Sequence, residues 1–164
     1  CMDAVDGYVD IANYNSPAQI VITGDDEAVK KTCELLTEKG VKRVVPLAVS
    51  GAFHSQFMKD AGEKFAEFVK DIEVKDTEIP VVTNVDAEFT TSNFKEKMPK
   101  QIYSSVHWCQ SIEKMIEAGV DTFIEFGNGT VLAGLNKKIN PEVKTYNVYD
   151  KESLEATIQN LNEV

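Results

Sequence analysis

The chain has 164 residues, with 27 acidic against 17 basic side chains, a net charge of −10 and a hydrophobic fraction of 43%. That length suits one domain or two small ones, and the apolar share is enough to bury a core. The acidic balance excludes nucleic acid as the main partner, because phosphate binding needs a basic footprint.

No apolar stretch approaches the roughly 20 residues of a membrane-crossing helix, so no membrane partner is expected. The opening Cys1-Met2-Asp3-Ala4 has neither the basic nor the apolar region of a signal peptide. Cys1, Cys33 and Cys109 are odd in number, widely spaced and form no CxxC pair. A disulfide scaffold or zinc site is not expected, and a reducing cytoplasm is the expected compartment. Lys42-Arg43 and Lys137-Lys138 read as solvated charge, with an acidic ligand or carrier protein as the other reading.

In chain order, residues 8–14 read as a strand, Asn15-Ser16-Pro17 as a turn, and residues 19–23 as a second, β-branched strand completing an antiparallel hairpin. Gly24-Asp25-Asp26 caps a helix in which Val29, Cys33 and Leu36 recur at helical spacing, and Gly40 stops it. Residues 43–47 read as a third strand. The order strand, strand, helix, strand fits most of a ferredoxin-like unit. An irregular segment over residues 49–55 follows, and then a helix with Phe57, Ala61, Phe65, Phe68 and Ile72 on one stripe. Residues 79–84 read as a buried strand. Residues 93–103 read as a helix, with Pro99 near its start or breaking it. Helices over 108–118, 130–139 and 153–161 and strands over 122–126 and 144–148 complete an α/β pattern with a partly parallel sheet.

Only two histidines occur, His54 and His107. His54 lies in a Gly-containing loop before a helix, and an imidazole there can exchange protons near neutral pH. A lone loop histidine is more often solvated or structural than catalytic, and His107, at the start of a helix, still more so. No G-x-S-x-G elbow exposes a serine. Ser50 and Ser55 flank His54 too closely in sequence for an ordinary dyad. Gly127-Asn128-Gly129, between a strand and a helix, can favour a phosphate at the helix N-terminus or simply allow tight packing. No His, Cys or acidic cluster has metal-ligand spacing. These residues alone define an acidic α/β protein with one suggestive histidine.

Val49-Ser50-Gly51-Ala52-Phe53-His54-Ser55 resembles the histidine motif of malonyl-CoA:acyl-carrier-protein transacylases and polyketide synthase acyltransferase domains. Four further segments resemble that family in the same order. They are the hairpin over residues 13–24, the strand at Pro80-Val81-Val82-Thr83-Asn84-Val85, the helix from Gln101 to Trp108, and the turn from Phe126 to Leu132. Asn128 stands where the family's turn has proline.

The resemblance implies the C-terminal half of such an enzyme. The expected fold is an incomplete ferredoxin-like small subdomain (residues 1–48, first strand missing) plus the C-terminal segments of an α/β-hydrolase-like acyltransferase subdomain (residues 49–164). It implies a Ser-His ping-pong mechanism moving malonyl from malonyl-CoA to the phosphopantetheine thiol of acyl carrier protein in fatty acid biosynthesis. His54 is then the general base, and a backbone carbonyl at Gln101 orients its ring. Phe53 resembles the malonyl-selecting pattern, its bulk disfavouring an added methyl. The nucleophilic serine, a carboxylate-binding arginine and the oxyanion loop fall in a missing N-terminal half, so this chain alone is expected to be inactive. No cofactor is implied, because the coenzyme A thioester is itself the substrate. The end of the chain, without a Pro- or Ala-rich linker, favours a discrete enzyme over a polyketide synthase domain. A non-catalytic small-ligand binding module is the reading from another class.

Overall fold

A computed structural model describes residues 1–49 and 51–162 of the chain. After a 3-10 turn at Met2–Ala4, strands β1 (Val9–Ser16) and β2 (Gln19–Gly24) form the expected antiparallel hairpin. Ser16 still belongs to β1, so the turn is tighter than the sequence suggests. Gly24 is required: a Cβ there would lie 2.0 Å from the Tyr8 carbonyl oxygen. The ladder skips Ala12 between the Ile11 and Asn13 pairs, a bulge. Ala12 is buried and points its carbonyl the other way, accepting the Val106 amide at 2.8 Å. Tyr14 N–H donates to the Val106 carbonyl at 2.9 Å, so β1 is paired on both edges.

Helix α1 (Asp26–Glu38) follows, burying Ala28 and Thr32, and ends before Gly40 with φ +89. Asp25 precedes it without a side-chain cap bond, since its carboxylate instead accepts the Tyr8 amide at 2.7 Å. The strand expected over residues 43–47 does not form. β-branched residues favour a strand only where a partner ladder exists, none of the described residues pairs with this segment, and Pro46 has no amide to offer. The α/β class holds, with β1, β2 and α1 as its small antiparallel part.

A 3-10 turn (Gln56–Met58) leads into α2 (Lys59–Val69). The expected apolar stripe is real in sequence but largely uncovered: Phe57, Phe68 and Ile72 are exposed, while Gly62 and Val69 are the buried positions. Residues 79–84 yield only β3 (Val81–Val82), paired antiparallel with β4 (Phe89–Thr90). Val81 is exposed, so this is not the buried strand its composition suggests. Helix α3 (Phe94–Tyr103) carries Pro99 in its interior, buried, without breaking.

The second half matches its periodicity closely. Helix α4 (Trp108–Glu117) ends at Gly119 with φ +94. Strand β5 (Thr122–Phe126), helix α5 (Val131–Ile139) and strand β6 (Lys144–Val148) form a β-α-β unit with β5 and β6 parallel, and α6 (Lys151–Asn162) packs on β6. Ile112 and Cys109 of α4 and Leu135 of α5 are core residues. Phe68, Ile79, Phe126 and Val131 are 70–79% exposed and find no cover among the described residues. Among those residues no helix is long and apolar enough to cross a membrane.

Candidate active site

His54 sits between the end of α3 and the start of α2, on left-handed backbone with φ +58. That region disfavours most side chains, although His is among those enriched there. Three contacts hold it. The His54 amide donates to the Ile102 carbonyl at 3.2 Å. The ring Nδ1 lies 2.9 Å from the Gln101 carbonyl oxygen and 3.2 Å from that of Ser104. Both oxygens are pure acceptors, so Nδ1 must carry the ring proton. In the neutral ring the lone pair is then on Nε2, the atom a general base uses.

The local sequence explains why these carbonyls are free. The last carbonyls of any helix lack intrahelical partners. The chain turns extended at Ser104 (φ −101, ψ 153), and the Val106 amide leaves for Ala12. Gln101 and Ile102 are thereby left to accept from His54, which caps α3. The partial negative charge of a helix C-terminus also complements the positive charge the ring acquires on taking a proton.

Gly62 fixes the spacing of the two helices. A Cβ there would stand 2.5 Å from Tyr103 Cδ1 and 3.0 Å from the Pro99 carbonyl oxygen. Helices α2 and α3 thus meet at a point where only glycine fits, and the histidine loop is clamped at the end of that contact.

The other expected residues divide. Gln101 contributes its main-chain carbonyl to the contact. Phe53, next to His54, is 53% exposed. Ser55 is 1% exposed and its hydroxyl donates to the Ala52 carbonyl at 2.6 Å, which leaves it no path to act as a nucleophile. Ser50 lies outside the described residues. His107 stacks on Tyr14 with ring centroids 5.2 Å apart, a structural placement. The phosphate role considered for Gly127-Asn128-Gly129 is not left open, because the Leu132 and Ala133 amides at the start of α5 donate to the Glu125 carboxylate at 3.1 and 2.9 Å. Sequence reasoning missed the second ring acceptor, Ser104, and the contact from Tyr8 to Gln56; neither backbone contact leaves a residue pattern.

A histidine whose Nδ1 is oriented by main-chain carbonyls has the geometry a Ser-His acyl-transfer site requires of its base. The chain belongs to the acyl transferase domain family, which it matches over residues 1–151. It is 48% identical over 157 residues to the malonyl CoA-acyl carrier protein transacylase of Bacillus subtilis, covering 94% of this chain and 50% of that protein. The crystal structure of the Clostridium perfringens malonyl CoA-acyl carrier protein transacylase superposes with a TM-score of 0.91 at 42% identity, over 96% of this chain and 50% of that one. A malonyl-transacylase solved with its type II PKS acyl-carrier protein gives 0.90 at 36% identity, over 96% and 52%. The chain spans about half the length of these relatives.

Proposed function

We propose that this chain supplies the general-base half of a malonyl-CoA:acyl-carrier-protein transacylase acting in fatty acid synthesis. The nucleophilic serine comes from a segment corresponding to the other half of its relatives. The observation that carries this reading is the His54 ring, with Nδ1 2.9 Å from the Gln101 carbonyl and Nε2 left to exchange protons.

The serine hydroxyl gives its proton to Nε2 as its oxygen attacks the malonyl thioester carbonyl. The coenzyme A thiol leaves, taking that proton from the ring. The phosphopantetheine thiol of acyl carrier protein then gives its proton to Nε2 and attacks the acyl-serine, and the departing serine oxygen takes that proton from the ring to restore its hydroxyl. A main-chain carbonyl orients the ring without placing a second buried charge beside it. No cofactor enters, since the thioester is the activated substrate. Phe53 is read as a malonyl-selecting side chain whose bulk discriminates against one extra methyl by about 1–3 kcal/mol. The uncovered Phe68, Ile79, Phe126 and Val131 support a surface that the serine-bearing segment covers. The unpaired thiols of Cys1, Cys33 and Cys109 support a cytoplasmic setting.

The test supplies the serine-bearing segment and compares His54→Ala with the unchanged enzyme. Malonyl transfer is expected to fall by about 10²–10⁴-fold. A variant that transfers at full rate overturns the assignment of His54. This chain alone, incubated with malonyl-CoA, is expected to keep its mass of 18.2 kDa. A malonyl adduct on it overturns the division of roles.

A further inference from the structure

We propose that Tyr8 is a positioning residue for His54, acting through the amide of Gln56; this rests on the reading of His54 as general base. Tyr8 stands immediately before β1, and Asp25 fixes its backbone from both sides. The Tyr8 amide donates to Asp25 Oδ2 at 2.7 Å, and its carbonyl accepts the Asp25 amide at 2.8 Å. From that anchor the side chain reaches the histidine segment. Its hydroxyl oxygen accepts the Gln56 amide at 3.1 Å, and its O–H points to Asp10 Oδ2 at 3.4 Å. Its ring meets Phe57 edge-on, with centroids 5.1 Å apart at 85°.

Gln56 and Phe57 open the 3-10 turn that starts two residues after His54. The first amides of such a turn have no partner within it. Ser55 stands where a capping hydroxyl belongs, yet it makes no cap bond, because its hydroxyl turns back to Ala52. Tyr8 supplies the missing acceptor from 48 residues away. Burial, acting first, raises the phenol above its ordinary range, so it stays protonated and serves as donor and acceptor together.

The positive φ of His54 gives this bond its importance. A residue whose backbone is held in the left-handed region relaxes unless its surroundings over-determine it. On one side the Ile102 and Gln101 carbonyls hold the amide and ring. On the other, the chain is tied down at Gln56 by Tyr8. The hairpin thereby fixes the ring that α3 orients.

Tyr8→Phe keeps the ring on Phe57 and removes only the hydroxyl. In the enzyme with its serine-bearing segment present, kcat is expected to fall about fivefold. KM for malonyl-CoA should stay within about twofold, since substrate binding is not touched. In a His54→Ala background the same change should do nothing, because Tyr8 acts only through the histidine. The Gln56 amide should also exchange its hydrogen faster, while amides of α4 and β5 do not. An unchanged kcat beside a silenced His54→Ala variant overturns the role of Tyr8 alone. An equal loss in the His54→Ala background overturns it in favour of general support of the fold. A Gln56 amide with unaltered exchange overturns the bond itself. His54→Ala at full rate removes instead the reading on which all of this rests.

Discussion

The Nδ1 atom of His54 lies 2.9 Å from the carbonyl oxygen of Gln101, a contact between residues 47 apart in sequence. The acceptor is main chain, so the identity of the side chain at 101 should matter little. Gln101→Ala keeps the carbonyl and raises helix propensity slightly. Malonyl transfer by the enzyme carrying it is expected to stay within about twofold of the unchanged rate, and stability within about 0.5 kcal/mol. Steady-state kinetics and urea unfolding check both.

Gly62 should tolerate no side chain. Alanine gains about 1 kcal/mol in helix propensity. Its Cβ, however, would stand 2.5 Å from the Tyr103 ring and 3.0 Å from a main-chain oxygen, neither of which is the free end of a flexible side chain. Overpacking of that kind costs about 1–3 kcal/mol, so Gly62→Ala is expected to destabilise the chain on balance. Because the strain falls on α3 next to the His54 acceptors, transfer activity should fall with it. A raised unfolding midpoint would count against the close contact.

Asp86 should make the fold acid-sensitive. Partial burial alone would raise its carboxyl, but the Lys97 ammonium at 2.8 Å, the Thr83 hydroxyl and the Glu88 amide outweigh it, and the net position is below the usual carboxylate range. A lowered folded-state pKa means stability that is present above the unfolded value and lost as pH falls through the folded one. Asp86→Asn is therefore expected to cost about 1 kcal/mol at pH 7, the upper end for an ion pair still partly open to solvent. The gap should begin to narrow as the pH drops below about 4 and close only below the lower folded-state value. Urea unfolding at pH 7 and at pH 3 reads the difference.

Cys109 should be chemically quiet. Burial first, and the nearby Glu113 carboxylate second, push its thiol up to about 11. Only the thiolate reacts, so alkylation at neutral pH is expected to run about a hundredfold slower than at a free cysteine. Mass mapping after a timed iodoacetamide pulse measures it. Early labelling of Cys109 would contradict its burial in α4.

Much of this architecture is legible in the residues themselves. Helix α1 with its stop at Gly40, α4 with its stop at Gly119, and the parallel pair β5 and β6 follow from periodicity and glycine positions. Residues 43–47 form no strand because β-branched content signals only fitness for a sheet and no neighbour among the described residues pairs with them, whereas 79–84 pair over Val81–Val82 alone and leave Val81 exposed. Pro99 survives inside α3, where propensity alone argues for a break. At the site, His54 stands out only through its motif. Its acceptor at Gln101 came from the resemblance, since a carbonyl has no residue signature. Tyr8 was invisible because a hydroxyl meeting a main-chain amide 48 residues away leaves no pattern in sequence.

Ile11 leaves the ribosome 94 residues ahead of Ser105, whose hydroxyl bonds its carbonyl at 2.6 Å. At about 5–20 residues per second the hairpin waits roughly 5–20 s for that partner. The Val106 edge of β1 and the α3 carbonyls for His54 arrive within the same short stretch. Until then the nascent chain holds an open strand edge and a histidine without its acceptors. A translational pause before α3 therefore prolongs the interval in which β1 keeps one edge unpaired.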